Sequence, residues 1–430
     1  MGRKGDQTFV SGGGGATPKS DNDSYWDGEI LWITPADISQ LRTFAVEGSA
    51  RCITEDGLTS CGTSLVPAGS IILSTRAPIG SLGLATQSLC TNQGCKSLVP
   101  LAPVDTKFYA YLISAAKEEL NVRGKGTTFL ELSGDALGAF AIPEPLTSEQ
   151  HFISAFLDRE TGKIDALVAE QEKLINLLKE KRQAVISHVV TKGLDPSVPM
   201  KDSGVEWLGE VPEHWDVMPL KRLIEEGSSI SYGIVQPGDH VEDGVPFIQT
   251  TNMTSGSFAL DELQRTSPQI AEGYPRSRLA GGEVILGIRA SIGAAHVVPV
   301  HLEGANLSRG VARIKPNNLI GSSYLVSYLR SDIVERYWQL AKQGSTFNEV
   351  SIATVRDLFV AVPPEEEQRA IVDAVAAAED RFGGLAAEAW RAIDLLKERR
   401  AALILAAVTG KIDVRGLLGL QLEKGALESA

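Results

Sequence analysis

One long amphipathic pattern occurs twice in this chain at a fixed offset of 218 residues: Leu178-Lys179-Glu180 returns as Leu396-Lys397-Glu398, and Glu149-Gln150 as Glu367-Gln368, without a gap. In the first copy Leu157, Ile164, Leu178 and Val185 stand seven or fourteen residues apart, interrupted by Gln171, with Ile153, Leu167 and Leu174 as a second column. In the second copy Val375, Phe382, Ala389, Leu396 and Leu403 repeat the first column, and Ile371, Leu385 and Ala392 the second. A seven-residue apolar repeat marks a helix with one buried stripe. A helix of roughly 40 residues reaches about 60 Å at about 1.5 Å per residue, too long to lie inside a small domain. Two such helices bury their stripes most economically on each other, giving a coiled-coil spacer.

The segments between the helices repeat as well. AGSIILSTRAPIG matches GGEVILGIRASIG at an offset of 213, GKGTTFLEL matches KQGSTFNEV at 218, and Trp32-Ile33 matches Phe247-Ile248, with Asp37-Ile38 beside Asn252-Met253. A drifting offset puts insertions in loops, and the order is domain, helix, domain, helix. The fold class is α+β: two mixed α/β domains joined by two long helices. The boundaries are 1–145, 146–192 for the first helix, 193–363 for connector and second domain, 364–413 for the second helix, and 414–430 for a tail. The first 24 residues, with GGGGATPKSDNDS, read as loop, and strands are expected over Ile30 to Thr34, Ser70 to Ser74 and Leu98-Val99. A helix is expected over Phe108 to Leu120, and Pro363-Pro364 opens the second long helix, where a missing N–H is harmless. Trp207, Leu208 and Trp215 make the connector too apolar to float, so it should pack the second domain onto the helices.

Composition excludes several classes. The chain is long enough for two cores, and its apolar runs fall short of the roughly 18 residues of a membrane span, so the reading is cytoplasmic. Cys52, Cys61, Cys90 and Cys95 lack CxxC spacing and read as reduced structural thiols rather than a metal site. Net charge is -13, divided as -4, 0, -6 and -3 over 1–145, 146–192, 193–363 and the remainder, so no domain is basic as a whole.

The connector TKGLDPSVPMKDSGVEWLGEVPEHW, the opening YWDGEILWITPADIS, and the pair STRAPIG and GIRASIG resemble the specificity subunit of type I restriction-modification systems. The resemblance covers nearly the whole chain. It implies two target recognition domains that each read half of a split double-stranded DNA site, and helices forming an antiparallel coiled coil that sets their separation. Methylation subunits and restriction subunits are the implied partners. S-adenosylmethionine, ATP and Mg2+ would belong to them, with no cofactor in this chain. One departure is that HWDVMPLKRL precedes the second domain's first strand, whereas MGRKGDQTFV shows nothing like it; either the first domain lacks an edge strand or its start is misplaced.

No phosphate loop GxxxxGK[ST], no amino-methyltransferase tetrad and no HExxH occurs, and the histidines, His188 included, form no ligand cluster, which points to a binding part rather than an enzyme. Arg76 and Arg289 occupy matching places and have two readings: phosphate contacts, or pairing with a carboxylate that closes a loop of each domain. The loops Gly124-Lys125-Gly126-Thr127-Thr128 and Lys342-Gln343-Gly344-Ser345-Thr346 suit a phosphate oxygen, with a lysine, hydroxyls and free backbone N–H groups. Base readout needs Arg, Lys, Asn or Gln in places that differ between copies. Residues 264–315 carry seven basic and three acidic side chains, and Arg265, Arg276 and Arg278 are the candidates there. Lys96, Arg123 and Lys125 are their counterparts in the first domain. The competing reading is a coiled-coil adaptor whose end domains bind proteins.

Overall fold

The computed structural model describes residues 8–76, 78–125, 130–342 and 349–415. They form two compact units, Met1–Gln171 with Arg391–Ala430, and Glu172–Trp390. The long helices, Thr147–Lys192 and Glu365–Val408, are each shared between the units, so the division runs through helices rather than through a linker.

In the first unit β1 (Phe9–Gly14), β2 (Trp26–Ile33), β3 (Ala45–Val46), β4 (Cys52–Ile53), β5 (Ile71–Ser74), β6 (Leu82–Ala85), β7 (Cys90–Thr91) and β8 (Cys95–Pro100) make two sheets, in the orders β1-β8-β5-β6-β3 and β4-β2-β7. β5 is central and wholly buried, which is why Ile71 to Leu73 form a continuous apolar run rather than an alternating one before Ser74. The glycine-rich start is not all loop. β1 pairs antiparallel with β8, Phe9 opposite Pro100 and Gly14 opposite Lys96. Glycines carry no alternation from which a strand can be read, yet one is required here: a Cβ on Gly15 would sit 1.8 Å from the Asn92 carbonyl oxygen. The helix expected over Phe108 to Leu120 is two, Thr106–Ala115 and Lys117–Arg123.

The second unit opens with a hairpin, β9 (Met200–Asp202) and β10 (Glu210–Pro212), followed by β11 (Asp216–Pro219), β12 (Ser231–Tyr232), β13 (Val245–Ile248), β14 (Gln264–Thr266), β15 (Val284–Gly287), β16 (Ala295–Val297), β17 (Asn306–Leu307), β18 (Val311–Ile314) and β19 (Phe359–Val362). The orders β12-β18-β15-β16 and β14-β13-β17 repeat those of the first unit, with no counterpart of β3 among the described residues. β2 runs parallel to β7 with Trp32 opposite Cys90, and β13 runs parallel to β17 with Phe247 opposite Asn306, so the matched dipeptides occupy one place in one fold. Each is followed by a capped turn: the Thr34 N–H donates to the Asp37 carboxylate at 2.8 Å, and that of Gln249 to the Asn252 side-chain oxygen at 2.9 Å. Gly233 repeats Gly15, with the Leu307 carbonyl oxygen 1.8 Å from a Cβ position. β11 pairs with β19. Among the described residues the first unit has no such pair.

Each unit closes over its halves of the long helices. In the first, Ile153, Phe156 and Leu157 share a core with Ile404, Ala407 and Val408, and Arg400 bonds Asp165 at 2.9 Å. In the second, Ile186, Val189 and Val190 share a core with Ile371 and Val375. Early turns of one helix meet late turns of the other in both, so the pairing is antiparallel. The connector enters the second core through Leu208 and Trp215, with Trp207 packed against it, and the Trp215 Nε1–H donates to the Glu367 carboxylate at 3.0 Å. A matched pair of buried glutamines locks the start of each long helix. Gln150 accepts the Asp105 N–H and donates to the Pro145 carbonyl, and Gln368 accepts the Gly321 N–H and donates to the carbonyls of Leu319 and Pro363.

The first column of each helix faces inward as expected, but the second does so only near each helix start, at Ile153 and Ile371. Leu167 and Leu174 are 51% and 42% exposed, whereas Ile175 is 2% exposed, so the column four residues after the first is buried and the one three residues after it is not. In the second helix Ile371 and Ala378 are buried, but beyond Gly383-Gly384 the stripe moves one residue on, to Ile393, leaving Leu385 outside. That helix ends at Val408 rather than 413, because Gly410 adopts φ 69° and the Lys411 N–H turns back to the Ala406 carbonyl. Pro363 and Pro364 precede it, between β19 and Glu365.

Candidate nucleic-acid interface

In both units the arginine at the end of the central strand meets a carboxylate. Arg76 Nη2 lies 2.8 Å from Glu131, Arg289 Nε 3.8 Å from Glu349, and each pair is also joined through isolated β-bridges. Glu131 and Glu349 close the GKGTTFLEL and KQGSTFNEV stretches, so the loop-closing reading is the one observed. Arg309 approaches the same Glu349 at 3.9 Å. Ala290 follows Arg289 at φ 57°, a left-handed conformation that points the turn and costs an alanine energy.

Of the first loop, Gly124 and Lys125 are described: Lys125 exchanges two backbone bonds with Glu131, at 3.0 and 2.9 Å, and its side chain is exposed. Thr127 and Thr128 lie outside the described residues, as do Ser345, Thr346 and the side chain of Lys342, whose backbone ends the helix Asp332–Lys342. Arg123 is held within its unit, 2.8 Å from Glu119 and over the Phe140 ring. Lys96 is half-buried on β8, opposite Leu73.

The basic excess of 264–315 divides cleanly. Arg289 and Arg309 face Glu349, Lys315 meets Glu225 at 2.6 Å, and the half-buried Arg313 pairs with the buried Glu283, its Nε at 2.6 Å. Arg265, Arg276 and Arg278 have no carboxylate partner among the described residues. Arg265 lies on β14 opposite Pro246 and donates to the Gly244 carbonyl at 3.2 Å. Arg276 and Arg278 are exposed around the turn Pro275–Ser277, and the Arg276 carbonyl accepts from Ser231 and Arg313. Arg276 joins Arg356, Tyr232 and Tyr274 along an open groove of about 650 Å³. Two guanidinium groups and two phenol rings there offer charge and stacking surface, the chemistry of nucleic-acid contact.

Arg356 and Tyr232 lie outside the sequence candidates, and so does Arg51, which stacks on Trp26 at 3.4 Å from the ring centre. A local excess of basic residues is a signal that an isolated arginine does not give. The thiols stand apart from any chemistry: burial pushes Cys90 and Cys95 up to about 12, so both stay protonated at neutral pH. Among the described residues no group of His, Cys, Asp and Glu is placed to hold a metal ion, and no helix is long and apolar enough to cross a membrane.

The chain matches the family model of the type I restriction modification DNA specificity domain over residues 9–177 and again over 212–382. It is 26% identical over 290 residues to the type I restriction enzyme EcoBI specificity subunit of Escherichia coli, a stretch that spans 66% of this chain and 61% of that protein, less than two thirds of its length. It is 26% identical over 368 residues to the MjaIX specificity subunit of Methanocaldococcus jannaschii, spanning 82% and 80%. Its fold is similar to a chain solved in work on complex assembly and conformational transition of the type I R-M system, with TM-score 0.67, 18% identity and coverage of 93% and 97%. It is also similar to the HsdS subunit from Thermoanaerobacter tengcongensis, with TM-score 0.50, 17% identity and coverage of 94% of each.

Proposed function

Since this chain belongs to the type I restriction modification DNA specificity domain family and carries the domain twice, we propose that it is the sequence-reading subunit of a restriction-modification complex, in which each domain reads one half of a split DNA site. The observation that carries this is the repetition of one fold with one set of latches and clamps, on which the unpaired basic side chains differ. A shared frame with divergent polar surface is what two half-sites of different sequence require.

In this reading the chain does no chemistry. Methylation subunits dock on the paired helices and restriction subunits join them, and S-adenosylmethionine, ATP and Mg2+ belong to those partners. Neither the first domain nor the second is basic as a whole, so phosphate neutralisation by this chain is weak, and the partners supply the affinity that phosphate contacts give. The isolated chain should therefore bind DNA weakly at physiological salt, and adding its methylation partner should produce site-specific binding, measured by fluorescence titration. Tight, specific binding by the isolated chain refutes that division of labour. Absence of any site-specific methylation by the complex favours the adaptor reading instead.

A further inference from the structure

The registers of the two small sheets can be superposed residue by residue. Trp32 and Phe247 occupy the same place, each beside its parallel partner strand, so Leu31 corresponds to Pro246. Leu31 lies opposite Cys52 and Pro246 opposite Arg265, which places Arg51 of the first unit where Gln264 stands in the second. Both side chains are exposed. Arginine can bond a guanine edge and glutamine an adenine edge in bidentate fashion.

Arg51 is also pre-positioned. Its guanidinium lies 3.4 Å over the buried Trp26 ring, which is itself fixed: Trp26 Nε1–H donates to the Lys19 carbonyl at 3.1 Å, and its ring meets Trp32 edge-on at 5.2 Å. Trp32 Nε1–H in turn donates to the Ala16 carbonyl at 2.9 Å. A stacked guanidinium keeps its in-plane N–H donors free while losing much of its rotational freedom, so less freedom remains to be lost on binding. Arg76, Arg123, Arg400 and Arg415 face carboxylates, whereas Arg51 has none among the described residues.

Resting on the DNA-reading function, we propose that Arg51, held on Trp26, reads a guanine in the first half-site through the O6 and N7 edge, and that Gln264 is its counterpart in the second domain. A charge-neutralising phosphate contact would keep a cation at both places, and glutamine supplies no charge. The test is methylation mapping and DNA titration of the complex carrying Arg51→Ala, Arg51→Gln and, as a charge-preserving control, Arg51→Lys, with thermal melting to confirm folding. Expected are a loss of cognate affinity of about tenfold to a hundredfold for Arg51→Ala, relaxation at one guanine of the first half-site with the second half-site intact, and a shift toward adenine for Arg51→Gln. An unchanged methylation pattern at unchanged affinity overturns the assignment. So does uniform weakening on all sequences with a salt slope lower by about one, which marks a phosphate contact. If the unmodified complex shows no site preference, the DNA-reading function itself fails, an outcome distinct from either.

Discussion

Single residues differ in how much they hold, and burial decides which matter. Gln150 and Gln368 are buried, and each satisfies backbone groups of the loops beside its helix. Replacing either with alanine strands those groups and should cost about 1–3 kcal/mol, measured by denaturant unfolding. Arg76 and Glu131 are 43% and 42% exposed, so Arg76→Ala should cost under about 1 kcal/mol. Cys90 and Cys95 give a pH signature. Their folded pKa of about 12 exceeds the ordinary 9.0, so the folded state holds the protons more tightly; that stability is fully present below about 9 and is lost as pH rises toward 12. Unfolding midpoints that stay flat across this range would contradict the burial. Arg51 shows what sequence could not reveal at this scale: its platform, Trp26, is 25 residues away and meets it only through the pairing of β2 with β4.

The elements were legible where a pattern had a strong period and obscure where it did not. The apolar run Ile71 to Leu73 of β5 and the first helical column could be read directly, because a short apolar run between turns and a seven-residue repeat are each compatible with few local structures. The second column could not, since a stripe flanked by residues three and four positions on gives two candidates, and the leucines at 167 and 174 occupy the outer one. β1 was hidden because glycines have no face. The buried stripe makes a sharp forecast: Ile175→Asp places a charge at a 2% exposed position and should cost more than about 3 kcal/mol, while Leu174→Asp, one residue away and 42% exposed, should stay within about 0.5 kcal/mol. Circular dichroism melts of the two variants separate the alternatives, and the reverse order of stabilities would restore the outer column.

At the scale of the molecule the duplication was the most legible feature, and the candidate site the least, because half of its expected residues depend on loops whose chemistry is common while their partners are set by the fold. If the long helices set the gap between half-sites, a heptad inserted into each, which keeps both stripes in phase, lengthens them by about 10 Å, or about three base-pair steps. Methylation mapping should then show the same half-sites with a gap longer by about three, and an unchanged gap with retained activity would remove the helices as the ruler.

The division of the chain into units has a consequence for biosynthesis. Residues 172–390 make a unit from one unbroken stretch, whereas the first unit takes its core from segments on either side of that stretch, with Ile153 and Leu157 packed on Ile404, Ala407, Val408 and Val414. A ribosome emits the strands of the first unit before the second unit, yet their helical wall emerges only after residues 172–390. The usual order of domain maturation is therefore inverted: the second unit can close during translation, while the first waits with an apolar helix face uncovered until residues 391–415 have followed it.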